Sequence, residues 1–188
     1  MDELNLLYDR FKNKMEAVSG ECFRVKTSIE AKDLIGKLLK DKGIQSVALV
    51  NSLLVETCDL VRALPESGIE LHMDRYQEVT PKVDAGITEM KWAIAELGTL
   101  VQYAEDVNER LCSAFTPIHF ALVQTSALLP SLMETLKVIN KEPQIPGFVG
   151  FVTGPSRTSD IERVLTIGVH GPEQLIAIFI DEQVREEK

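Results

Sequence analysis

The chain has 188 residues, 45% of them apolar, with 29 acidic side chains against 20 basic ones and a net charge of −9. That length fits one domain with a real core. The acidic balance opposes a nucleic-acid or anionic-membrane partner, since both demand concentrated positive charge, and no apolar run approaches the roughly 20 residues that span a bilayer.

The first residues, MDELNLLYDRFK, are acidic and amphipathic and lack the basic and apolar regions of a secretory signal; a cytoplasmic protein is expected. Leu4, Leu7, Phe11, Met15 and Val18 recur at helical spacing, which predicts a helix over residues 2–18, stopped at Gly20. Thr27 and Glu30 form a capping box before the apolar stripe Ala31, Leu34, Ile35, Leu38 and Leu39, and Gly43 ends that helix. Val47–Val50 reads as a buried strand, Leu53–Leu64 as helix and Glu70–His72 as a brief strand, with a loop around Pro81. Met90, Ala93, Ile94 and Leu97 predict a helix that carries Trp92 and stops at Gly98. Thr99–Tyr103 and Ile118–Val123 read as strands. Pro130 opens a helix with Leu132, Met133, Leu136 and Ile139. Lys141–Pro146 is a linker, Phe148–Val152 a strand and Gln174–Asp181 the last strand.

Strands alternating with helices predict an α/β domain over residues 1–188 with a mainly parallel sheet sandwiched by helices. It has an N-terminal helix in 1–20 and a frayed tail at 182–188. A short turn before the last strand predicts an antiparallel end to the sheet.

Chemistry-bearing residues gather in Thr153–Pro172, TGPSRTSDIERVLTIGVHGP. In open α/β sheets ligands bind beyond the carboxyl ends of strands, and this segment follows Phe148–Val152. Gly154 permits a tight turn, Pro155 stiffens it, and the backbone around Ser156 and Thr158 can cradle an anion. Ser159 and Glu162 also make a capping box with Asp160 in the first turn, which is a purely structural alternative. His170, before Gly171 and Pro172, is a candidate general base, and Asp160 or Glu162 its candidate partner. Gly98 and Thr99 form a second candidate ligand contact, against a plain C-cap. His119 reads as a satisfied core histidine. His72, His119 and His170 have no metal-ligand spacing, so no metal site is expected. Cys22, Cys58 and Cys112 are odd in number and far apart, which predicts buried thiols and no cluster motif.

The TGPS-x-T-x-DIE…G-x-HGP run resembles that of the LUD-domain family, in its lactate-utilisation C branch. Ile87–Val101 and Phe115–Val123 look like further family segments, so the resemblance spans residues 84–181. Arg163, Leu97 and Phe115-Thr116 depart from the family pattern. Gly154, Pro155, Ser156, Thr158, Asp160, Glu162, His170, Gly171 and Pro172 match it. The resemblance implies a Rossmann-like α/β sandwich similar to sugar-phosphate isomerases and CoA transferases. It implies a part in oxidising L-lactate to pyruvate, beside iron–sulfur partner proteins that carry the clusters, with a small anionic ligand or cofactor of unknown identity held in the signature. Two other functions stay open: a stand-alone acyl-CoA or sugar-phosphate enzyme, and a non-catalytic assembly subunit.

Overall fold

A computed structural model describes residues 3–158, 166–167 and 171–184. Helix α1, Glu3–Ala17, buries Phe11 and Met15 and is followed by strand β1, Glu21–Val25. Helix α2, Ser28–Asp41, starts at the expected cap, with Thr27 Oγ1 accepting the Glu30 N–H at 3.2 Å. Strand β2, Ser46–Leu49, leads into two short helices, α3 (Leu53–Thr57) and α4 (Leu60–Glu66). The single helix expected there breaks because Asp59 turns left-handed at φ 54°. Strand β3 (Glu70–His72), helix α5 (Tyr76–Val79) and strand β4 (Ala85–Glu89) follow.

Residues 90–97 are not helical. Met90 N–H donates to Leu122 O, and Lys91 N–H to Val101 O. The chain then enters strand β5, Trp92–Ile94, antiparallel to strand β6, Thr99–Ala104. Trp92 and Ile94 face one apolar cluster and Ala93 the other, a period of two that the helical spacing of Met90, Ala93, Ile94 and Leu97 disguised.

Helix α6, Val107–Phe115, begins at an Asp106–Glu109 capping box. Strand β7 (Ile118–Gln124) and the short strand β8 (Leu128–Leu129) follow. Helix α7, Leu132–Ile139, is capped by Ser131 and begins after Pro130, not at it. Strand β9, Phe148–Val152, precedes the small pairs β10 (Arg157–Thr158) and β11 (Thr166–Ile167), and strand β12 is Gln174–Ile180.

These elements form a six-stranded sheet in the order β1-β12-β7-β4-β2-β3, and every pairing in it is parallel. A second, four-stranded sheet runs β8-β5-β6-β9. The expected antiparallel end does not form. β11 pairs with β10, and β12 inserts between β1 and β7. Both faces of the parallel sheet are covered. Ile176, Ile178, Ile180, Phe120 and Leu122 pack under α2, α3 and α4. Leu175, Ala177, Phe179, Ala121 and Val123 pack under α1 and the second sheet. Burial on both sides is what makes β7 and β12 near-continuous apolar runs.

Candidate functional site

The connection after β2 leads outward to β3, whereas the connection after β4 leads the other way to β7. The crevice between β2 and β4 is therefore the switch point of the parallel sheet, the place where open α/β sheets hold ligands. A cavity of about 600 Å³ lies at the carboxyl ends of these strands. Ser52 and Leu53 after β2, Glu89 at the end of β4 and Lys91 after it, Gln124 at the end of β7 and Val184 beyond β12 line it, with Tyr103 from β6 and Glu109 from α6.

Each polar group is positioned by its backbone. Glu89 Oε2 accepts the Leu54 N–H at 3.0 Å, and Ser52 Oγ accepts the Val55 N–H at 3.4 Å, so two first-turn N–H groups of α3 are already satisfied. The Lys91 ammonium stands 5.7 Å from the ring centres of both Trp92 and Tyr103, an aromatic corner that favours the cation. Those rings pack edge to face at 5.2 Å. The Tyr103 hydroxyl donates to Gln144 O at 2.6 Å and ties down the linker before β9. The Gln124 side chain donates to Val184 O at 3.2 Å and accepts its N–H at 3.4 Å, which holds the segment after β12 as one wall.

Glu109 from α6 adds a second carboxyl group to the lining. Its Oε1 accepts the N–H groups of Glu105 and Asp106 at 3.2 and 3.3 Å. Burial raises its pKa above the usual carboxylate range and the charges of Asp106 and Glu105 add to the rise, while the two N–H bonds oppose it. The lining thus offers one ammonium, two carboxyl groups of unlike surroundings, a phenol and an amide. It can bind a small anion and hold a proton beside it.

Those residues singled out in the sequence that the structure describes gather elsewhere, at the amino edge of the parallel sheet. β9 belongs to the second sheet, so its carboxyl end points away from the crevice. Gly98 (φ +65°) and Gly154 (φ +72°) both press on the end of α1. A Cβ on Gly98 would stand 2.6 Å from the backbone nitrogen of Met15, and one on Gly154 would stand 2.7 Å from Val18. Thr99 and Thr153 share a 2.7 Å hydroxyl contact. Pro155 is buried. Ser156 N–H donates to Pro172 O at 2.8 Å, and Gly171 lies against Ser156. Arg157 donates to Val18 O and Ser19 Oγ at 2.6 and 2.7 Å. Thr158 pairs through its backbone in β10. Asp160, Glu162 and His170 lie outside the described residues. The structure therefore brings Gly98, Thr99, Thr153 and Gly154 together, and Ser156 with Gly171, but none of them lines the crevice.

Sequence reasoning missed Glu89, Lys91, Tyr103, Glu109 and Gln124, because they come from separate connections with no local motif. The one available signal was the Asp106-x-x-Glu109 box, and it announces a helix start rather than a site. Cys22, Cys58 and Cys112 are buried in three different clusters. Burial pushes their thiols up to about 12, 11 and 12. No group of metal-binding side chains forms among the described residues, and none of their helices is long and apolar enough to cross a membrane.

Comparison with known proteins places this architecture. A crystal structure of a DUF162-family protein from Deinococcus radiodurans superposes with a TM-score of 0.61 at 16% identity, covering 95% of this chain and 98% of that one. The two share the fold. A protein of Bacillus mycoides named "Lactate utilization protein C 1" is 28% identical over 162 residues, 80% of this chain and 69% of its own. A "Lactate utilization protein C" of Geobacillus is 23% identical over 189 residues, 90% and 78% of the two chains. An uncharacterized protein of Neisseria meningitidis is 30% identical over 176 residues, 88% and 73%. The sequence model of the LUD domain matches residues 8–180, and the chain belongs to that family.

Proposed function

We propose that this chain serves lactate utilisation as the subunit without clusters, acting beside iron–sulfur partner proteins in the oxidation of L-lactate to pyruvate. In this reading it holds a small carboxylate in the switch-point crevice. The observation that carries the reading is the Lys91 ammonium, beside two rings in the lining of the carboxyl-edge cavity. The names of the Bacillus and Geobacillus relatives support a tie to lactate utilisation. Lactate oxidation releases a hydroxyl proton and the equivalent of a hydride. The crevice has groups to orient the acid and to take the proton. The three buried thiols do not stand ready as thiolates, so the electrons are assigned to the partners.

The cavity volume favours a second reading, a larger ligand such as an acyl-CoA or a sugar phosphate, since about 600 Å³ is room for a drug-sized molecule. Charge favours the smaller ligand: Glu89 and Glu109 share the lining with a single lysine, and each further negative charge on a phosphate adds repulsion that a monocarboxylate does not meet. Unfilled space in an open crevice simply holds water.

Lactate-dependent dye reduction, reconstituted from the partners with and without this chain, tests the proposal. Activity should need the chain, and full rate without it would overturn the assignment. Lys91→Met should raise the lactate KM by roughly tenfold or more, the cost of losing one charge-assisted contact. The same assay addresses the Thr153–Pro172 segment as a further ligand contact. Normal turnover in well-folded Asp160→Ala and His170→Ala chains would assign that segment to folding.

A further inference from the structure

The crevice contains two carboxyl groups whose surroundings differ in a way that assigns them different tasks. Glu89 receives the Leu54 N–H at 3.0 Å from the start of α3 and lines the cavity together with Lys91. Glu109 is flanked along its own chain by Asp106 and Glu105, whose N–H groups reach its Oε1 at 3.2 and 3.3 Å. No donor reaches Glu109 Oε2 among the described residues. The neighbouring cation, Arg110, is turned away, its guanidinium carbon 5.0 Å from the ring centre of Phe148. Glu89 at the end of β4, Lys91 in the β4–β5 connection and Tyr103 from β6 line the same cavity as Glu109. An anion seated beside Lys91 adds negative charge to a cavity whose lining already includes Glu109, half-buried and with Oε2 free of donors among the described residues, and added negative charge favours a proton on such a carboxyl group.

We infer that Glu109 is the proton-holding group of the crevice: when a small carboxylate seats beside Lys91, the chain takes up one proton on Glu109, whose O–H then donates to an oxygen of the bound ligand. The inference rests on the anion site proposed above. The raised pKa of Glu109 agrees with it. The proton comes from solvent, and no covalent bond to the ligand forms or breaks. The direction follows from linkage. A ligand that binds with proton uptake binds more weakly as pH rises, by up to about tenfold per pH unit for one proton.

Isothermal titration of the full chain with pyruvate, in PIPES and in imidazole, two buffers of unlike ionisation heat that hold the range between about pH 6 and pH 8, reads the proton count from the difference in heats. The wild type should take up close to one proton per pyruvate over part of that range, with affinity falling as pH rises. Glu109→Gln keeps the capping box, which accepts Gln at this position. It should bind pyruvate with no proton uptake and a flat pH profile. Glu89→Gln should retain the uptake, and it carries the test should Glu109→Gln prove unstable. Pyruvate binding with no uptake in the wild type, or unchanged uptake in Glu109→Gln, overturns the role of Glu109 and leaves the anion site standing. No pyruvate binding by the wild type at any of these pH values overturns both.

Discussion

His119 shows how one buried side chain sets the acid limit of the fold. The ring is wholly buried on β7, with Nε2 2.8 Å from Thr88 Oγ1 and no partner for Nδ1 among the described residues. Burial pushes its pKa from 6.5 down to about 3, so the native ring stays neutral. Below pH 6.5 the unfolded chain binds a proton that the native chain refuses, and stability falls as pH falls. Between pH 7 and pH 5 this one group should cost about 2 kcal/mol, read by chemical denaturation at the two values; His119→Asn should lack that slope. The sequence alone led us to expect a satisfied core histidine, and the structure leaves one nitrogen bare, because partners are set by tertiary packing. The glycines at the end of α1 follow similar logic. Gly98→Ala would force a left-handed backbone on alanine and drive a methyl into Met15 N and Lys14 Cβ, each 2.6 Å away. A loss of roughly 2 kcal/mol or more is expected in thermal unfolding.

At the scale of elements, legibility tracked how much a segment's own residues decided its form. Helix α2 announced itself through Thr27 and Glu30, and its cap is observed. The apolar runs of β7 and β12 were plain because both faces are buried. β5 was misread because it is three residues long and its partners in β6 and β8 are supplied by other parts of the chain. β1, with only Cys22 fully buried, and α6, with only Cys112 and Ser113 buried, left too little apolar pattern to be read at all. The Asp106–Glu109 box was present in the sequence and is what starts α6; Asp106→Ala should cost about 1 kcal/mol in urea unfolding. Helix α1 is held through β12, where Phe179 meets Tyr8 and Phe11 edge to face at 5.3 and 4.8 Å. Phe179→Ala should destabilise by about 3–5 kcal/mol. Hydrogen exchange should show α1 opening first.

For the whole molecule, the class of fold was visible in the alternation of strands and helices, but the strand order was not. The rule that ligands sit at carboxyl ends was applied to β9, because nothing local told that strand apart from the parallel set. Once β9 is placed in the second sheet, the rule selects the ends of β2, β4 and β7, where Glu89, Lys91 and Gln124 stand. The order β1-β12-β7 also joins residues far apart in sequence, Cys22 with Ala177 and Phe120 with Ile176. During synthesis, then, a slot between β1 and β7 stays vacant until the ribosome has passed Ile180, with two bare ladders on either side of it. Such a slot invites either a chaperone or a stray strand of another chain. It also makes the protein divisible, and a fragment lacking β12 should regain its native near-ultraviolet spectrum when a synthetic QLIAIFI peptide is supplied.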